Sequence, residues 1–230
     1  MQRSAIIFLL LLAGCGGGGG GSTIDAEQQS VSAPATSGPR SCNPDCFLTA
    51  ADVEQVIGQA AAEASARNAS ATIAVVDRVG NVLGLYEMGS AEPFVTITST
   101  AEAGTPIVGG LEGLNFIPSA LAAISKAMTG AYLSTSGNAF TSRTASQIVQ
   151  ENFNPGEANV PSGPLFGVQF SQLPCSDFST RFSAGVGHGP HRAPLGLSAD
   201  PGGIPLYIDG VVVGGVGVIA DGIYGLDKFI

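Results

Sequence analysis

Two histidines, His188 and His191, are the residues in this chain best suited to chemistry, and they lie in the loop-like run GVGHGPHRAPLG. Imidazole is the commonest metal ligand, and a spacing of three can bring both rings to one ion. No carboxylate or cysteine pattern accompanies them. Polar loop histidines are therefore the plainer reading, and a shared metal is the alternative. No G-x-S-x-G elbow, H-E-x-x-H pair, P-loop or dinucleotide fingerprint occurs in the chain. The Gly-rich spacing around Gly210–Gly217 falls inside an apolar run, not at a strand-to-helix turn, so it does not cradle phosphate. Asp77 and Arg78 fall at a hairpin tip, where charges more often make turns than catalyse.

The elements that must position these groups centre on Ile204–Gly222, IPLYIDGVVVGGVGVIADG. Two apolar runs, Ile204–Ile208 and Val211–Ala220, flank Asp209-Gly210, the strongest short-range hairpin signal, because a primed two-residue turn needs φ > 0. The second run is apolar on both faces, which predicts a central strand covered by helices. Its glycines, Gly214, Gly215 and Gly217, weaken a strand unless something approaches closely. A packed helix is the favoured reading there, with a partner subunit or a ligand as alternatives.

In chain order, Thr49 and Asp52 frame the start of a helix whose apolar spacing runs to about Arg67, with Asn68 able to end it. Ala71–Asp77 and Val82–Met88 read as a hairpin over Gly80-Asn81. Gly89–Ile117 is a long stretch with a short strand candidate at Val95–Thr98, of the kind that is functional or a covering insertion. A helix follows over Ala120–Ser134, with Leu121, Ile124, Ala127, Met128 and Ala131 on one stripe and Lys126 off it. Thr141 or Ser142 caps the next, through Ile148 and Val149 to about Asn152. Residues 154–203 are dense in Gly and Pro, with a strand candidate at Leu165–Phe170.

The N-terminus carries an address. One positive charge precedes the apolar run Ala5–Leu12, which is short for a permanent membrane span. It ends in Leu12-Ala13-Gly14-Cys15, similar to a bacterial lipobox in which Cys15 is lipidated; an ordinary secretory signal is the alternative. Residues 1–15 are thus expected to be a lipoprotein signal peptide and lipobox. Residues 16–46 open with six glycines and read as a flexible tether. Gly16 after the cysteine, by resemblance to other lipoproteins, implies the outer membrane, periplasmic face, of a Gram-negative envelope. An exported chain keeps disulfides. Of Cys42, Cys46 and Cys175 one must be left over, and the pairings stay open. Three Cys and two His do not match a zinc pattern.

Composition agrees with one domain over residues 47–230. A net charge of −9 with no basic stripe argues against nucleic acid as a partner. Only 12% of residues are charged, so uncharged polar residues must cover much of the surface, as in secreted or oligomeric proteins.

Taken together, these segments resemble the HbpS/GlcG-like domain, also called the haem-degrading domain family and found at the C-terminus of PduO-type proteins. The matching pieces are Leu48-Thr49, Val75-Val76-Asp77 through Asn81, Lys126-Ala127, Gly202-Gly203-Ile204-Pro205 and Gly214–Val218, spread from about Phe47 to Asp221. The resemblance implies an α+β fold of profilin or PAS type, an antiparallel sheet of about five strands flanked by helices. It implies a homo-oligomer and a small-molecule ligand, haem in some members. It also implies a C-terminal helix after the last strand, beyond where this sequence stops at Ile230.

Asn138-Ala139-Phe140-Thr141-Ser142 is similar to the N-A-P-T-S segment of haem-binding members, with Phe140 in place of Pro. By that match Thr141 takes a haem-proximal place, beside its reading as a helix N-cap. The resemblance further implies His188 or His191 as iron ligand and Lys126 or Arg143 as propionate partner. The expected function is a membrane-tethered haem or small-ligand binding protein. Haem degradation or another small-molecule conversion, and a structural oligomerisation module, are the rivals.

Overall fold

A computed structural model describes residues 42, 46–99, 111–149, 163–164 and 193–225, all within one compact unit, Thr36–Ile230. The elements in order are α1 (Ala50–Ala66), β1 (Thr72–Asp77), β2 (Val82–Glu87), β3 (Phe94–Ile97), β4 (Ile117–Pro118), α2 (Ser119–Leu133), α3 (Ser142–Ile148), β5 (Gly203–Ile208), β6 (Val211–Ile219) and β7 (Ile223–Tyr224). The main sheet is antiparallel with order β2-β1-β6-β5. Among the described residues it has four strands, beside an expectation of about five. The remaining short strands form a second sheet, β4-β3-β7, in which β3 and β7 run parallel.

Local chemistry sets the boundaries. Thr49 accepts the Asp52 N–H while the Asp52 carboxylate accepts the Thr49 N–H at 2.7 Å, a complete capping box for α1. Past its end, Asn68 takes φ 56°, the left-handed conformation that Asn tolerates. Asp209 (φ 48°) and Gly210 (φ 77°) make the β5–β6 hairpin turn, as their types predict. Cys42 and Cys46 are joined as a disulfide, with Cα atoms 5.3 Å apart. Cys175, the lipobox and the Leu165–Phe170 strand candidate lie outside the described residues.

Helices cover both faces of the sheet. On one, Val53, Val56, Ile57 and Ala60 of α1 pack on Ile73, Val75 and Val216. On the other, α2 lies across β6, β1 and β5, its Ala127, Met128 and Ala131 against Val76. Gly215 and Gly217 face this helix. A Cβ at either would press into the backbone carbonyl of Ala127 or Ala123, closer than carbon and oxygen can approach. Gly130 of α2 returns the arrangement, since its Cβ would sit 2.8 Å from the Ile204 carbonyl carbon. The strand glycines therefore serve close helix packing. Beyond the far end of α2, Val95, Ile97, Leu111, Ile117 and Tyr224 close over Ala122 and Ala123. The described part of the long stretch after β2 thus covers this end of the fold, in one cluster with Ala74 of β1 and Ile219 of β6.

Gly217→Ala is expected to destabilise the fold by about 1–3 kcal/mol, because backbone rather than a yielding side chain stands in the way. Gly58→Ala, on an exposed helical site with nothing within 4 Å, is expected to stabilise by roughly 0.5–1 kcal/mol. Urea unfolding of both variants checks the contrast.

Candidate functional site

The outer side of α2 carries Ser125, Lys126 and Thr129, residue types that are mostly exposed in folded proteins. All three are buried, Lys126 being 3% exposed. Its expected place off the buried stripe is corrected by a segment that sequence periodicity does not reveal: residues 193–200 lie over α2. The Ser125 hydroxyl accepts the Leu195 N–H at 3.1 Å, and the Thr129 hydroxyl accepts the Ser198 N–H at 2.6 Å. The Thr129 hydroxyl donates in turn to the Ser125 carbonyl.

The Lys126 ammonium lies 2.9 Å from Asp200 Oδ2 and donates to the Val218 carbonyl at 3.2 Å. A ligand carboxylate reaching that ammonium would have to enter the core and displace Asp200. This buried pair ties the helix to the strand that follows. Gly202 bonds to β6 through the Val218 N–H, and a Cβ at Gly203 would collide with the Lys126 carbonyl. The Gly203 N–H donates to Ser142 Oγ at 2.7 Å, which seats the first turn of α3 on the same spot. The segments Lys126-Ala127, Thr141-Ser142, Gly202-Gly203 and Gly217-Val218, distant in sequence, converge here.

Thr141 is the N-cap of α3, accepting the Thr144 N–H at 3.2 Å with extended backbone (φ −90°, ψ 163°). The chain leading into it is held on three sides. Ser134 Oγ accepts the Phe140 N–H at 2.9 Å and donates to the Phe140 carbonyl. Thr135 and Asn138 pair across a tight turn. The Tyr207 hydroxyl reaches the carbonyls of both, at 2.9 and 3.1 Å. Phe140 and Thr141 are half-buried and Arg143 is exposed. Arg143 makes no ion pair among the described residues. An aromatic ring, a hydroxyl and a cation thus fall within four residues on a braced turn.

The hairpin tip is structural in a way the sequence reading captured only for Asp77. That carboxylate accepts the N–H groups of Val79 and Asn81 and the Asn81 side-chain amide, at 2.7–2.9 Å. Arg78 instead reaches the C-terminal end of α2, donating to the Ala131 and Ser134 carbonyls, where a cation also suits the helix dipole. His188 and His191 lie outside the described residues. Among the described residues no group of three His, Cys, Asp or Glu side chains is placed to hold a metal, and no helix is long and apolar enough to cross a membrane. Sequence reasoning missed Asp200, Ser198, Ser125 and Thr129. The one signal was Lys126 itself, a charge in an otherwise small and apolar helix.

Removing one member of the buried pair strands the other. Asp200→Ala is expected to cost about 3–5 kcal/mol, and Lys126→Met combined with Asp200→Leu to recover most of that loss. Urea denaturation of the single and paired variants reads this out.

No family model matches the chain, and no curated protein does. Solved structures similar to it include the following two. One is the crystal structure of a PduOC–haem complex, 19% identical, spanning 76% of this chain and 83% of that one, with a TM-score of 0.44. The other is the Klebsiella pneumoniae protein ORFY, of the DUF336 family, 18% identical over 78% and 83% of the two chains, with a TM-score of 0.43. At that level of similarity neither transfers a ligand or an activity to this chain.

Proposed function

We propose that this domain binds haem, or a related planar ligand bearing carboxylates, at the Phe140–Arg143 turn that opens α3, and that Cys15 tethers it to the membrane of the cell envelope. One observation carries the reading. The segment Asn138–Ser142, similar in sequence to that of haem-binding members, is braced by Ser134, Tyr207 and Gly203 while Arg143 stays exposed and unpaired among the described residues. A preorganised turn loses little entropy on binding. Arg143 suits a propionate through paired N–H donors, and Phe140 offers a ring at the same place. Lys126 has a different role, holding α2 against the Gly202-Gly203 strand. The iron ligand in this reading is His188 or His191.

Haemin titrated into the purified protein is expected to give a saturable, shifted Soret band. Arg143→Ala should weaken binding about two- to fivefold, the worth of one exposed ion pair. His188→Ala with His191→Ala should abolish the shift. A flat response from folded protein sinks haem as the ligand.

The tether is tested separately by Cys15→Ser. That variant should move from the membrane to the soluble fraction and stop incorporating labelled fatty acid. Its unchanged membrane retention would remove the lipid anchor from the proposal.

A further inference from the structure

We propose that the Cys42–Cys46 disulfide is a redox-controlled clip on the end of the β5–β6 hairpin, closed when oxidised and opened by a dithiol reductant, and that opening it loosens the turn from Ser134 to Phe140. The two cysteines are joined with Cα atoms 5.3 Å apart. Both are half-buried, so a small dithiol can reach the bond. They stand only four positions apart in the sequence. A cross-link over so short a loop removes little entropy from the unfolded chain. Its effect lies in what it holds in place.

One end of the clip is fixed. Cys46 leads into Leu48, which packs on the cluster of Val53, Ile73 and Val75, and then into Thr49, the cap of α1. The other end meets the hairpin. Cys42 Sγ lies 3.0 Å from the Ile208 carbonyl oxygen, 166 positions along the chain. Among the described residues, this part of the hairpin has fewer backbone partners than the rest of the sheet. The ladder between β1 and β6 stops at the pair of Asp77 with Gly214, so residues 211–213 run on past it. The β5–β6 register also breaks between Leu206 and Tyr207. Beyond that bulge the pairs of Tyr207 with Val212 and Ile208 with Val211 stand apart around the Asp209-Gly210 turn.

What the hairpin end carries is Tyr207. Its hydroxyl is shared between the carbonyls of Thr135 and Asn138, at 2.9 and 3.1 Å. Those two residues also pair through their backbones, and Ser134 Oγ holds both backbone groups of Phe140. The start of α1, Cys42, Ile208, Tyr207 and the turn thus form one continuous set of contacts while the clip is closed. Opening is ordinary thiol–disulfide exchange. One thiolate of the dithiol attacks a sulfur of the pair, and its second thiol resolves the mixed disulfide. Two electrons and two protons pass to Cys42 and Cys46, which end as thiols, and the reductant ends as a disulfide. Cys42 is then no longer tied to α1, and the hairpin end opens locally at lower cost. That the loosened turn binds a ligand rests on the reading above; the clip itself does not.

Hydrogen exchange of the purified full chain, read by mass spectrometry before and after dithiothreitol, tests this. Peptides covering residues 134–142 and 206–213 are expected to exchange roughly tenfold faster after reduction, with β1 and the middle of α2 unchanged. Reoxidation with diamide should restore slow exchange. Cys42→Ser combined with Cys46→Ser should exchange fast with or without dithiothreitol, and Cys175→Ser should respond as the parent chain does. Equal exchange in the two redox states overturns the proposal. So does unfolding of the whole chain on reduction, which would make the bond a general staple. If the double serine variant fails to fold, reduction and reoxidation of the parent chain decide. The reduced chain should also bind haemin roughly threefold more weakly, its turn being less preorganised. A chain whose exchange responds to reduction but which never binds haemin sinks haem and supports the clip.

Discussion

The structure depends on how closely α2 can approach the sheet. Helix backbone reaches strand backbone only because Gly215 and Gly217 offer no side chain and Gly130 returns the favour over Ile204-Pro205. Small residues on the helix, Ala123, Ala127 and Ala131, complete the contact. Close packing gains dispersion contacts that a wider gap forfeits. It also lowers α2 far enough that chain on its other side can cover it. Ten residues of this 15-residue helix are buried, which no single amphipathic stripe could arrange.

The layer over α2 meets it through polar groups. Ser125, Thr129 and Lys126 each meet a specific backbone or carboxylate group from residues 195–200 or Val218. Buried hydrogen bonds of this kind add little net stability but penalise every alternative alignment, because a shifted segment would leave donors unpaired. The result is register. Asp200 fixes where Gly202-Gly203 enters the sheet, Gly203 fixes Ser142, and Ser142 fixes the turn that carries Thr141 and Arg143. The candidate ligand site is therefore the end of a chain of positional constraints that begins at the helix–sheet contact.

The two sides of the sheet are finished differently. Among the described residues, the α2 side is covered by residues 193–200, whereas β2 is paired on one side only and exposes apolar residues on both faces. A strand so composed is costly to leave in water.

Much of the fold was legible in the residues. The capping box at Thr49 and Asp52, the Asp209-Gly210 turn, the Thr141 cap and the close approach demanded by the β6 glycines all appear where expected. Each rests on groups within a few residues of one another, or on the plain geometric need of a strand without side chains, so local chemistry is enough to specify it. Tertiary structure alone decided that Lys126 is buried, that Asp200 is its partner 74 positions away, and that Arg78 caps α2. A charged residue on a helix satisfies the same local rules whether it faces water or a counterion. Which of the two it meets depends on chain that arrives from far along the sequence, and only packing determines that.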